Sequence, residues 1–216
     1  MTEESPDQIT SVPYELITLQ NLGAHMLFGE INQVSALQTC EFIIKANMLR
    51  ASSSPLTLLV NSEGGSVNDG FAIIDIMETS RLPIQTVGTG LIASMGLLIS
   101  TAGHKGTRTI TKNTEIMAHQ FIGGVYGKHH ELMAVQHEHL RLEQLFIKHF
   151  VRHSNMTEKQ IKDILFSPSD RWLSPDEAKK YGLCDRVTEF LDIPDEKPKA
   201  KRPSRAKPKA AESEAD

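Results

Sequence analysis

The residues of this 216-residue chain best suited to chemistry lie in GLIASMG, from Gly90 to Gly96. Ser94 falls between a strand-like run (Ile84 to Gly88) and an apolar helical run (Met95 to Ala102), with small neighbours Ala93 and Gly96 that let another chain come close. A serine at a strand-to-helix turn is placed for nucleophilic attack, because the first N–H groups of the helix favour negative charge developing there. The same position also suits a plain helix N-cap. As a nucleophile, Ser94 needs a base to take its proton and a third group to orient that base. Among the nine histidines, His119 closes a strand-like run, EIMAHQ, ahead of a break at Gly123, Gly124 and Gly127 where a cleft can open. Asp163, Asp170, Asp176 and Asp185 are all candidates for the orienting acid, and spacing does not choose among them. Gly64 and Gly65, in NSEGGSVNDG, allow positive φ and expose backbone N–H groups at a strand end, or simply form a turn.

The elements around these residues alternate. Met26 to Phe28 and Leu56 to Val60 read as strands, and Val34 to Leu49 as a helix with Leu37, Phe42, Ile43, Ile44 and Met48 as its apolar positions. An apolar helix over Phe71 to Met77 is followed by the strand that leads to Ser94. Short strands follow over Thr107 to Thr111 and Glu115 to His119. This order predicts an α/β fold with largely parallel strands. A helix from His129 to His153 would be ~37 Å long, too long to lie over one small core, so it is expected to project and meet another subunit. Thr157 and Ser174 are N-cap positions for two further helices, the second ended by Gly182, and Cys184 to Phe190 is strand-like. Residues 1–19 form an N-terminal segment that could pair as a strand or stay mobile, residues 20–192 the folded domain, and residues 193–216 a charged tail rich in Lys, Pro, Ala and Glu, expected to be disordered.

Composition narrows the class. A net charge of -4 gives no reason to expect specific nucleic-acid binding. Two cysteines, Cys40 and Cys184, fit a reducing compartment. The polar start MTEESPDQIT is unlike a signal peptide, and no apolar run is long enough to span a membrane, so a cytoplasmic protein is expected. His149 and His153 stand four apart on one helix face, but zinc needs further ligands, so no metal or cofactor is expected. The histidines of the long helix (His129, His130, His137 and His139 upstream) suit an interface that responds to pH near 6 instead.

Five motifs, VNSEGGSVNDGFAIID, GLIASMG, LISTAGHKGTR, EIMAHQFIGG and SDRWLSPDEAKKYGLCD, make the chain resemble, from about Met26 to Val187, the proteolytic subunit of the Clp protease, a serine peptidase. The resemblance implies that Ser94 is the nucleophile, His119 the base and Asp170 the orienting acid, with the N–H groups of Gly65 and Met95 as oxyanion hole. It implies a crotonase-like repeated ββα fold and heptameric rings, two of them stacked, joined through the long helix as a handle. Unfolded polypeptide would be cut inside the chamber. A separate AAA+ unfoldase would supply ATP-driven feeding, since this chain has no GxxxxGK[ST].

Two departures stand near the groove: Glu63 and Phe121 each replace a proline usual in the family, which implies altered substrate preference. The positions matching the family's hydrophobic docking cleft are Thr57, Leu59, Thr79, Val87, Thr89 and Thr109, where four threonines weaken an apolar anchor. Alternatives are a non-proteolytic or regulatory subunit of a mixed ring, a specialised maturation protease of the same family, and a crotonase-type hydratase, which has no need of this serine, histidine and aspartate.

Overall fold

The computed structural model of the chain describes residues 18–50, 53–120, 122–124 and 126–189. The N-terminal strand reading up to residue 17, Phe121 and the charged tail lie outside these residues. Five strands pair side by side in parallel: β1 (Ala24–Phe28), β2 (Leu56–Ser62), β3 (Ile84–Ala93), β4 (Thr109–Thr111) and β7 (Arg186–Thr188). β5 (Glu115–Ala118) pairs in parallel with the far end of β3, and β6 (Arg171–Leu173) adds antiparallel to β5. The parallel α/β expectation therefore stands, with β6 as an antiparallel addition.

β3 is longer than its apolar run suggests. It serves two neighbours in turn, β4 at Val87 and Gly88 and then β5 from Leu91 to Ala93. The switch is a bulge: the register against β2 shifts between Val60 and Ser62, Gly90 turns at φ 64°, and the Asn61 side chain accepts the Leu91 N–H at 3.0 Å. This bulge redirects β3 toward the site.

Helices α1 (Gln33–Leu49), α2 (Val67–Thr79) and α3 (Met95–Thr101) follow their strands in order. α1 does not bury the apolar positions its spacing suggested: Leu37, Ile44 and Met48 are exposed. Its buried stripe is Ala36, Thr39, Phe42, Ile43 and Ala46, because His25 of β1 stacks on Phe42 and contacts the Thr39 hydroxyl, which turns that side inward. α4 (His129–His153) spans the expected residues; only Phe146, Ile147, His149 and Phe150 are buried, so its first four turns stand clear of the core. α5 (Glu158–Gln160), capped by Thr157, runs into a π-helical turn over Ile161–Leu165, and α6 (Pro175–Lys180) is capped by Ser174.

An ion pair ties the residue before β7 to the start of β4. Arg108 is 2% exposed and binds Asp185 through Nε at 3.0 Å and Nη2 at 2.7 Å. Burial alone would raise the Asp185 pKa, but the donors of Arg108 and the Gly106 N–H outweigh it and hold the carboxyl below its ordinary value. The pair therefore stabilises the fold above the unfolded carboxyl range, and this contribution is lost as pH falls through the folded value. Asp185→Ala strands the Arg108 charge and is expected to cost about 3 kcal/mol, read as a lower urea midpoint at pH 7; an unchanged midpoint contradicts this.

Candidate active site

Ser94 joins β3 to α3 with φ 52° and ψ -123°, the single non-glycine residue at positive φ among the described residues. Its side chain makes no capping bond, so the N-cap reading of its hydroxyl fails. The turn is held from both sides: the Ser94 N–H donates to the Met117 carbonyl of β5 at 3.0 Å, and the Ser94 carbonyl accepts from Leu97 at 3.0 Å. Strained backbone at such a junction persists only where its surroundings over-determine it, and it exposes the serine hydroxyl.

His119 follows β5 directly. The parallel pairing of Ala93 with Met117 brings the ends of β3 and β5 side by side, so Ser94 and His119 line one pocket. Asp170 immediately precedes β6. The antiparallel register of β6 pairs Ala118 with Arg171, so His119 and Asp170 each lie one residue beyond the last pair. Asp170 is exposed and does not line the pocket, and no side-chain hydrogen bond joins the three residues among those described. The other candidate acids are accounted for elsewhere. Asp185 holds Arg108, Asp163 pairs with Lys159 at 3.0 Å, and Asp176 lies in the first turn of α6.

The glycine loop closes over the serine. A Cβ on Gly64 would stand 2.6 Å from the Ser94 Cβ, so only glycine allows this approach. Gly65, at φ 143°, bridges to Ile31 through its neighbours: Ile31 N–H donates to the Gly64 carbonyl and Ser66 N–H to the Ile31 carbonyl, both at 2.8 Å. That bridge does not use the Gly65 N–H. The Met95 N–H, first in α3, likewise has no intrahelical acceptor. Gly65 and Met95 both line the pocket with Ser94. The pocket, about 230 Å³, has an apolar wall that includes Leu98, Phe146, Phe150 and Phe166.

A scan for similarity to known proteins matches the Clp protease family model over residues 17–190. The chain belongs to the Clp protease family. It is also 38% identical over 133 residues to the ATP-dependent Clp protease proteolytic subunit 2 of Thermobifida fusca (strain YX), a match that covers 61% of this chain and 64% of that relative. The match thus spans just under two thirds of the relative's length.

Within this family frame, the aromatic wall, β6 and the π-helical turn are the parts that sequence reasoning missed. Phe146 and Phe150 stand one turn apart on α4, a spacing that in itself indicates only a buried face. Phe166 is presented by the π-helical turn, and the Gln120 side chain donates to its carbonyl at 2.8 Å. The residues matched to the docking cleft divide. Thr57, Leu59, Val87 and Thr89 share a half-exposed sheet face, Leu59 pairing with Val87 and Val87 with Thr109. Thr109 is buried at 7%, and Thr79, at the end of α2, donates its hydroxyl back to the Asp75 carbonyl.

His149 and His153 are engaged with protein groups. The buried His149 has Nε2 3.0 Å from both the Leu98 carbonyl and the Thr101 hydroxyl. A carbonyl only accepts, so Nε2 carries the proton. His153 Nε2 meets Glu78 at 2.8 Å. Burial, with the neighbouring His153 and Arg152, lowers the His149 pKa from 6.5 to about 3. The unfolded chain therefore binds a proton that the folded chain refuses. This stability is fully present above about pH 6.5 and declines as pH falls toward the folded value. The thermal midpoint is expected to drop between pH 7.5 and 5, and His149→Leu to flatten that slope. An identical slope in the variant counts against the assignment.

Proposed function

We propose that this chain is a serine endopeptidase that cuts unfolded polypeptide. The observation that carries the reading is Ser94, held in a strained strand-to-helix turn at the wall of a pocket shared with His119, while Asp170 continues the register of β6 toward that histidine. Ser94 Oγ attacks the scissile carbonyl as His119 takes its proton. Asp170 orients the imidazole and stabilises its charged form. The Gly65 and Met95 N–H groups receive the oxyanion, where loss of one such donor costs on the order of 3 kcal/mol. His119 then protonates the leaving amine, and water resolves the acyl-enzyme by the reverse sequence.

Family membership and the exposed length of α4 both support a ring assembly. A helix with four exposed turns has apolar residues Leu132, Met133 and Leu140 to cover. Heptameric rings, two of them stacked through this handle, would cover them and enclose the site in the cytoplasm. Feeding falls to a separate AAA+ unfoldase, consistent with the words "ATP-dependent" in the relative's name. Docking on Thr57, Leu59, Thr79, Val87, Thr89 and Thr109 offers little apolar area, so the chain binds such a partner weakly or works beside a second kind of subunit. That relative's designation as subunit 2 favours the mixed-ring reading as the alternative.

Gel-filtered rings are expected to hydrolyse short fluorogenic peptides, and Ser94→Ala to abolish this, by at least ~10³-fold. Assembled wild-type rings without activity point instead to the regulatory subunit. Replacing Thr57 and Thr79 with tyrosine is expected to tighten unfoldase binding by about tenfold in interferometry, the equivalent of one partly buried large side chain. Unchanged affinity would place docking elsewhere.

A further inference from the structure

A second cavity, of about 260 Å³, adjoins the pocket of Ser94, and the two share Phe146 and Phe166 as a common wall. The rings of these residues lie 6.3 Å apart between centroids, so the partition is a tilted aromatic pair. The linings differ in chemistry. Apart from Ser94 and His119, the first pocket is walled by apolar side chains and glycine, whereas the second carries Gln120, Gln136, His139 and Glu143. Gln120 follows His119 directly, and its amide is fixed by the Phe166 carbonyl. The second cavity is thus built from the same backbone that carries the proposed base.

Glu143 is the single carboxylate in this lining and is half-buried. Among the described residues no cation forms an ion pair with it at contact distance; Lys162 feels its field but is bound to Glu158 at 2.9 Å. His139 stands across from Gly123, where a Cβ would meet its Nε2 at 3.0 Å, and Gln120 and Gln136 offer amide oxygens. A lysine or arginine side chain has the complementary form: its methylenes lie along the Phe146 and Phe166 faces while its charged end meets the carboxylate and the amides.

We infer that this cavity is a second substrate subsite, which takes the cationic side chain of a residue within two positions of the peptide bond presented to Ser94. The inference rests on the peptidase reading for the identity of the ligand, but its test does not require turnover. Labelled peptides with one large apolar residue, and a lysine, glutamine or glutamate moved through the neighbouring positions, are bound to assembled Ser94→Ala protein and followed by fluorescence anisotropy.

At one position lysine is expected to bind about fivefold more tightly than glutamate, the scale of a partly exposed ion pair. Glu143→Gln is expected to bring the two affinities together. Equal affinities at every position overturn the subsite, as does a lysine preference that survives Glu143→Gln. Peptide hydrolysis by the wild-type protein is measured separately. Binding preference without hydrolysis would uphold the subsite and reject the peptidase reading, whereas hydrolysis without preference would do the reverse.

Discussion

The backbone of Ser94 is the constraint on which the other parts depend. A non-glycine residue at φ 52° costs on the order of 1–3 kcal/mol, and it relaxes unless something prevents it. Here the restraint comes from both chain directions. β5 takes the Ser94 N–H, α3 binds its carbonyl, and the glycine loop closes over its Cβ. The bulge at Gly90 makes this possible by handing β3 from β4 to β5, so that the strand ends where His119 begins. Without the bulge, β3 would continue along β4 and the serine would have no histidine beside it.

The hydrogen bonds around α3 extend the restraint into the handle. The Leu98 N–H reaches the Ser94 carbonyl at 3.4 Å, and the Leu98 carbonyl accepts from His149. A single residue, Leu98, therefore links the serine turn to the base of α4. Phe146, about one turn before His149, and Phe150, the residue after it, form part of the pocket wall. The elements of the proposed site are therefore the interior face of the chain's own scaffold, with Arg108 and Asp185 fixing the remaining strand.

What could be read in advance followed local rules. The helix from His129 to His153 was legible to both ends because its start and end are set by nearby residues, and so were the caps at Thr157 and Ser174. The serine turn was visible as a site but not as a strained one, since φ is not written in residue types other than glycine. The choice of Asp170 over Asp163, Asp176 and Asp185 depends on an antiparallel register formed by residues some fifty positions apart, which no spacing rule reaches. Family resemblance is what points to Asp170, which the structure places one residue before β6. The exposed side of α1 departs from its apolar spacing for a similar cause. Its buried stripe is decided by His25 on β1, a tertiary neighbour, and so Leu37, Ile44 and Met48 point away from the core.

The uneven burial of α4 has a mechanical consequence. Its buried part, Phe146 to Phe150, is little more than one turn near the C-terminal end, while the arm from His129 to Leu145 runs for about 25 Å at the helical rise. The helix is a cantilever with a short clamp and a long beam. A sideways load at the tip arrives at the clamp as torque, multiplied by the ratio of the two lengths. The clamp is also the aromatic wall of the pocket, so a displacement too small to notice at Phe146 corresponds to a swing of several times that size at the far end. Whatever grips the tip thereby steadies the wall, with a leverage that no residue inside the pocket could supply.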